Sequence, residues 1–235
     1  MDRNLIRALI VISLFAIAMG LLESAVVIYL RDILYPGGFA FPLNPVREDL
    51  VWTEMLRELA TLIMLLGVGL LAGRNSSERF AWFLYAFAVW DIFYYVFLRI
   101  LVGWPESLLT WDVLFLLPVT WTGPVITPLI VSATMIAFAL LIVFTQHQIP
   151  GLSWILLVAG SVILITAFTW DYSKFILEKL SFKDIWTLPG TQVRAMIYEY
   201  IPRRFNWLLF GLGEAIVLSG ILVYRLRSEP VRHTE

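Results

Sequence analysis

The sequence predicts an all-α protein, a polytopic transmembrane helical bundle, and three observations indicate this fold class. Hydrophobic residues make up 60% of the 235 residues, and charged residues make up only 15%, against about a quarter in soluble domains. The mean hydropathy is +0.83. No Ser-rich, Gly-rich or strongly charged linker divides the chain, so residues 1–235 are predicted to form a single integral membrane domain.

A helix that crosses the hydrocarbon core needs about 20 apolar residues. Six stretches of the sequence reach that length: 6–30, 52–73, 80–101, 124–146, 153–172 and 205–226. Arg3 and Arg7 precede the first stretch, as basic residues do in a signal peptide, but its apolar run continues to about Leu30. Because the apolar core of a signal peptide is only about 7–15 residues long, we interpret this stretch as a retained span.

A seventh, shorter span is predicted at 105–122, although this stretch contains Asp112 and Pro118. Gly123 and Pro124 follow it, and Gly after one helix with Pro at the start of the next is typical of a tight helical hairpin. Seven spans are therefore favoured, with six spans plus one short or broken span as the alternative.

The distribution of Lys and Arg favours a multi-pass protein of a bacterial-type cytoplasmic membrane with a cytoplasmic N-terminus. Seven spans in this orientation place ten of the 17 basic residues inside, whereas six spans place seven inside. Six spans with the N-terminus outside also place ten inside, so the count does not separate these two arrangements.

The long connection before the last span is predicted to contain an interfacial amphipathic helix near 191–201. Its apolar residues follow helical spacing, and they are Val193, Met196, Ile197, Tyr200 and Ile201. Arg194, Arg203 and Arg204 flank them, which is typical of a helix lying in the membrane interface.

Carboxylates inside the predicted spans are the candidate functional residues, because a charge at bilayer depth costs about 2.5–3.5 kcal/mol and is retained where it is used. There are five: Glu23, Glu58, Asp91, Asp112 and Glu214. With a rise of about 1.5 Å per residue, all five fall within a slab roughly 10 Å thick. We therefore predict a shared acidic pocket with these five residues as catalytic candidates, at least one of them protonated near neutral pH.

Residues beside two of the acids are predicted to bind substrate. Tyr94, Tyr95 and Arg99 share a helical face with Asp91, and a Trp directly precedes each of two acids, namely Trp90 before Asp91 and Trp111 before Asp112. The alternative is that each acid only hydrogen-bonds neighbouring helices and holds the bundle together.

Several classes of site are excluded by the sequence. The chain has no Cys and only two His, His147 and His233, so thiolate sites and a bis-histidine haem site are missing. P-loop, Gly-x-Ser-x-Gly and His-Glu-x-x-His motifs are absent as well.

We predict no cofactor and no metal, although a carboxylate cluster is able to hold a hard cation. A net charge of -1 gives no cationic face for nucleic acid, so membrane lipids are the expected partners.

Three functions fit the predicted pocket. The first is an enzyme acting on a lipid or isoprenoid, with protonated Asp91 or Glu214 as the acid and a neighbouring carboxylate as the base. The second is a proton- or cation-coupled transporter of a small solute. The third is a non-catalytic assembly subunit that binds a basic partner helix. The sequence favours the enzyme narrowly and identifies neither its small-molecule ligand nor the oligomeric state.

In size, number of spans and reliance on carboxylic acids, the chain resembles the integral-membrane terpene and lycopene cyclases. This resemblance implies chemistry that begins with protonation of an olefin or epoxide. The Pro-x-Glu-Glu signature of lycopene cyclases is absent, and the nearest text is "LLPVTWTGPV". No residue role is therefore carried over from that family.

Overall fold

The bundle contains six long helices and one short β-hairpin in the part of the chain that the computed structural model describes, residues 3–117, 119–180 and 198–227. The helices are α1 (Arg3–Leu34), α2 (Glu48–Ala72), α3 (Ser76–Val102), α4 (Ile126–Thr145), α5 (Gly151–Lys179) and α6 (Trp207–Arg227). All six are long and apolar enough to cross a membrane. The predicted polytopic helical bundle is thereby confirmed.

The seventh span predicted at 105–122 is not helical. Its described residues instead include strands β1 (Trp111–Phe115) and β2 (Trp121–Pro124), which pair antiparallel. Trp111 lies opposite Pro124, and the register shifts between Val113 and Phe115. The described residues thus contain six candidate spans, and the seventh span is not confirmed.

The hairpin is held in place by side chains from α5 and from the α5–α6 connection. The Trp121 ring stacks on Phe168 of α5 with 5.9 Å between centroids. The Thr122 hydroxyl lies 2.8 Å from that of Tyr200, and the Tyr200 hydroxyl also donates to Asp171 at 2.9 Å. These three polar groups therefore have hydrogen-bond partners, whereas the buried Nε1 of Trp121 has none among the described residues.

Helix α3 occupies the centre of one half of the bundle and packs against α1, α2 and α4. Helices α5 and α6 form a close pair, which contacts the rest mainly through α4 and β2. Small residues permit the close approaches: a Cβ added at Gly20 would lie 3.0 Å from the Trp90 carbonyl oxygen, and one at Gly160 would lie 2.9 Å from that of Gly213. Backbones this close are typical of helix contacts in membranes.

Local signals explain several helix ends. The Asn75 side chain accepts a hydrogen bond of 3.0 Å from the Glu78 backbone N–H and caps α3. Gly103 ends α3 with φ of 70°, a left-handed conformation that suits glycine. Most of the interfacial helix predicted near 191–201 lies outside the described residues.

Two faces of the bundle follow from the alternation of six spans. The termini face carries the residue-3 end of α1, the α2–α3 and α4–α5 turns, and the residue-227 end of α6. The hairpin face carries the α1–α2 loop, the hairpin, and the α5–α6 connection. The acids are found in the half of the bundle nearer the hairpin face.

Candidate functional site

Three of the five predicted acids line one internal cavity of about 60 Å³, here called the carboxylate cavity. Helices α1, α2 and α3 contribute Glu23, Glu58 and Asp91 respectively, and β1 closes one side. Its other polar lining residues are Arg57, Thr61, Trp90, Tyr94 and Tyr95. By volume the cavity has room for a few water molecules or one small ion.

Arg57 connects the cavity to the surface of α2. One of its guanidinium nitrogens donates to Glu23, and its Nε donates to Glu54 at 2.8 Å. The guanidinium therefore lies between two carboxylates on different helices. Such charge-assisted hydrogen bonds are about twice as strong as neutral ones, so Arg57 joins α1 to α2 at this depth.

Glu58 and Asp91 are held by neutral donors. Both oxygens of Glu58 accept the Leu116 backbone N–H at 3.0 Å. The Ser132 hydroxyl of α4 donates to Asp91 at 2.8 Å. In the described residues no Lys or Arg pairs with either carboxyl. A buried acid without a cation is suited to hold or pass on a proton.

Asp112 lies beside the cavity but does not line it. Its carboxyl accepts from Arg31 at 3.0 Å and from the Tyr95 hydroxyl at 3.3 Å, and its residue is only 1% exposed. Burial raises the pKa of Asp112 to about 6, although the neighbouring Arg31 guanidinium lowers it. Tyr95 thus connects Asp112 to the carboxylate cavity.

The Arg31 guanidinium is stacked as well as paired. It lies 4.3 Å from the ring centroid of Phe39 and 3.7 Å from that of Trp104. Phe39 belongs to the α1–α2 loop, and Trp104 follows α3. These cation–π contacts hold that loop against the end of α3.

Glu214 is separated from the other acids by α4. It accepts a hydrogen bond from Thr134 of α4, and its second oxygen is buried with no partner among the described residues. Ser132 and Thr134 are two residues apart, so their side chains point to opposite sides of α4. Of the five acids in the predicted slab, three therefore line the carboxylate cavity and Asp112 lies at its edge. Glu214 lies on the other side of α4.

Of the five predicted substrate-binding residues, three line the carboxylate cavity and two do not. Tyr94, Tyr95 and Trp90 line the cavity. Arg99 does not, because its guanidinium donates to the carbonyls of Gly103 and Pro105 at the end of α3. The Trp111 ring packs against Phe205, 6.2 Å between centroids.

Three polar contacts were not predicted as part of the site. Arg57 bridges Glu23 and Glu54, Ser132 donates to Asp91, and the Leu116 N–H donates to Glu58. Only the Glu54–Arg57 pairing has a signal in the sequence, namely their spacing of three residues on one helix. The other contacts depend on how helices and hairpin pack.

An apolar groove of about 400 Å³ lies against the cavity wall. It is bordered by the end of α1, the α1–α2 loop, the start of α2 and the hairpin, with Tyr172 and Tyr198 on the far side. Glu54 and Leu116 line this groove, while their partners Arg57 and Glu58 line the cavity. The groove and the carboxylate cavity therefore share a wall.

No group of three or more His, Cys, Asp and Glu residues in the described ranges is placed to hold a metal ion. Comparisons with protein-family models, with curated proteins and with solved structures find no match. The fold and the site define a membrane-embedded helical protein with an internal carboxylate cavity.

Proposed function

We propose that the protein is a membrane enzyme that acts on a lipid or isoprenoid substrate by acid–base chemistry that begins with protonation. The observation that carries the proposal is the shared wall between the apolar groove and the carboxylate cavity. A groove of about 400 Å³ falls within the range of pockets that bind small molecules. A lipid chain bound in the groove would lie against Glu54.

The roles of the acids follow from their positions. Asp91 and Glu58 have no paired cation in the described residues, so they are the proposed proton donors. Glu23 is held by Arg57 and is the proposed base. Asp112 and Glu214 do not line the cavity, so we propose that they stabilise helix packing and do not contact substrate.

Lipid extraction from cells producing the protein tests this proposal. Asp91→Asn and Glu58→Gln should each abolish formation of any lipid or isoprenoid product that the unaltered protein makes. Glu106→Gln is the matched control, because Glu106 is exposed and lines neither the groove nor the cavity. Identical lipid profiles for all four proteins would rule out the enzyme.

The size of the cavity favours a second candidate, a proton- or cation-coupled transporter. A space of about 60 Å³ suits water or a small ion rather than a lipid. Acids near the bilayer centre that lie between packed helices are typical of coupling-ion sites.

Reconstituted vesicles separate the two candidates. A transporter should carry solute when a pH or sodium gradient is imposed, and Asp91→Asn should lose that flux while Glu106→Gln keeps it. Vesicles in which neither gradient drives uptake of any tested solute would remove this candidate.

We propose that the termini face is cytoplasmic, in a bacterial-type membrane. Short connections and helix ends carry the topogenic signal, and on this face they hold Arg3, Arg7, Arg74, Arg79, Arg225 and Arg227. By total count the segments of the hairpin face hold more, ten of the 17 basic residues, so the orientation is proposed from the turns and helix ends of the termini face and not from the total. The carboxylate cavity then lies nearer the outer surface.

A further inference from the structure

The charges around the apolar groove restrict the lipid that it accepts. Its described charged lining residues are both acidic, Glu48 and Glu54, and no Lys or Arg is among them. A phosphate group requires a cation or several N–H donors for recognition. Among the described residues, the groove therefore offers no cationic side chain for an anionic headgroup.

Nearby guanidinium groups are already engaged. Arg57 is bound by Glu23 and Glu54, and Arg47 donates to Asp49 at 3.1 Å from its Nε. Arg31 is bound by Asp112 and stacked between two rings. Drawing Arg57 to a phosphate would leave Glu23 or Glu54 without its partner, which is unfavourable for a buried pair. Arg31 has one guanidinium nitrogen, Nη1, without a hydrogen-bond partner among the described residues, but Arg31 lines a neighbouring pocket and not the groove.

Two tyrosine hydroxyls at the groove also have hydrogen-bond partners in the α1–α2 loop. The Tyr35 hydroxyl accepts the Asn44 backbone N–H at 2.8 Å. The Tyr198 hydroxyl lies 3.1 Å from both the N–H and the carbonyl oxygen of Val46. These bonds fix the α1–α2 loop as one wall and leave an interior formed largely by aliphatic and aromatic side chains.

From this arrangement we infer that the groove selects a single-chain or isoprenoid lipid with an uncharged headgroup and rejects the phosphate-bearing form of the same chain. The inference rests on the proposed function, because it names the substrate class of that site. Attraction to the chain comes from burial of apolar surface. Discrimination comes from the excess of carboxylates at the groove, which disfavours an anion. The Arg57 guanidinium is shared between Glu54 and Glu23, and Glu48 adds a further acid.

Photo-crosslinking in lipid nanodiscs tests the inference with two probes that share one chain, a diazirine-bearing isoprenoid alcohol and its monophosphate. Peptide mapping should place the alcohol on groove residues such as Val51, Met55 and Leu116. We expect at least tenfold less labelling of these residues by the monophosphate. Met55→Trp, which fills the groove, should abolish labelling by the alcohol.

Removing charge should relax the selectivity. Glu54→Gln removes one repelling carboxylate and releases the Arg57 guanidinium, so labelling by the monophosphate should rise at least fivefold. Glu106→Gln removes an exposed acid outside the groove and should leave the ratio unchanged. Circular dichroism and size-exclusion profiles verify that each variant is folded.

The outcomes distinguish the inference from the function on which it rests. Equal or stronger labelling of the groove by the monophosphate overturns the inference and leaves the groove as a lipid site. Absence of groove labelling by both probes overturns the proposed function together with the inference.

Discussion

At the scale of single residues, helical spacing predicted the neighbours of Asp91 better than their roles. Tyr94 and Tyr95 line the cavity with Asp91, as a shared helical face requires. Arg99 lies on the same face, but it is eight residues and so about 12 Å further along α3. Near the end of a helix, backbone carbonyls have no N–H partner within the helix. The Arg99 guanidinium donates there to the carbonyls of Gly103 and Pro105, which follow α3.

The hydrogen-bond partners of the acids could not be predicted from the sequence. Ser132 meets Asp91, and Thr134 meets Glu214, only because α4 packs between α3 and α6. A hydroxyl in a span also bonds readily within its own helix, as Thr61 does to the Arg57 carbonyl. Nothing in the local sequence of α4 distinguishes these two uses.

Asp112 should titrate near pH 6 in the folded protein. Infrared spectroscopy of protein carrying ¹³C-labelled Asp should show a protonated-carboxyl band that Asp112→Asn removes and that disappears with a midpoint of about 6. Because the Arg31 guanidinium favours the carboxylate and lowers its pKa, Arg31→Gln should raise the midpoint by about one pH unit or more.

Glu106→Gln serves as the control for that titration, since Glu106 is exposed and forms no contact with Asp112 in the described structure. A midpoint that stays near 6 in Arg31→Gln would contradict the proposed pairing of Arg31 with Asp112.

At the scale of elements, hydropathy located all six long helices but misjudged 105–122. An apolar stretch of about 18 residues satisfies the length criterion for a short helix, and the same length folds as a hairpin when the surrounding protein buries it. Trp, Val and Thr are frequent in this stretch and favour strands. Strand pairing and the Leu116–Glu58 bonds satisfy backbone groups that lipid would leave unpaired.

The helix pair α5 and α6 provides a matched test of close packing. A Cβ at Gly213 would lie 2.9 Å from the Leu164 side chain and 3.0 Å from its backbone nitrogen, whereas a Cβ at Gly211 meets nothing within 4 Å. Gly213→Ala should therefore destabilise the folded protein by about 1–3 kcal/mol. Gly211→Ala should be neutral or slightly stabilising, because Ala favours a helix over Gly by about 1 kcal/mol.

Both variants place the same residue in the same helix, so intrinsic helix propensity affects them equally. Thermal unfolding in detergent, followed by circular dichroism, measures the difference. Equal midpoints for Gly213→Ala and Gly211→Ala would show that α5 and α6 do not approach as closely as the structure indicates.

At the scale of the whole molecule, the number of spans decides where the termini lie. Six spans place the residue-3 end of α1 and the residue-227 end of α6 on the same face, whereas seven would place them on opposite faces. This count could not be fixed from the sequence, because it depended on 105–122 alone. The side of the membrane nearer the carboxylate cavity depends instead on the orientation of α1, because α1, α2 and α3 precede this segment.

Cysteine labelling in intact cells tests the arrangement, since the chain has no native Cys. Ser76→Cys and Arg227→Cys lie on the termini face and Ser107→Cys on the hairpin face, and all three sites are exposed. With a cytoplasmic termini face, a membrane-impermeant maleimide should label only Ser107→Cys until the cells are permeabilised. Labelling of Arg227→Cys but not Ser76→Cys would restore a seventh span. Labelling of both, without Ser107→Cys, would keep six spans and turn the cavity toward the cytoplasm.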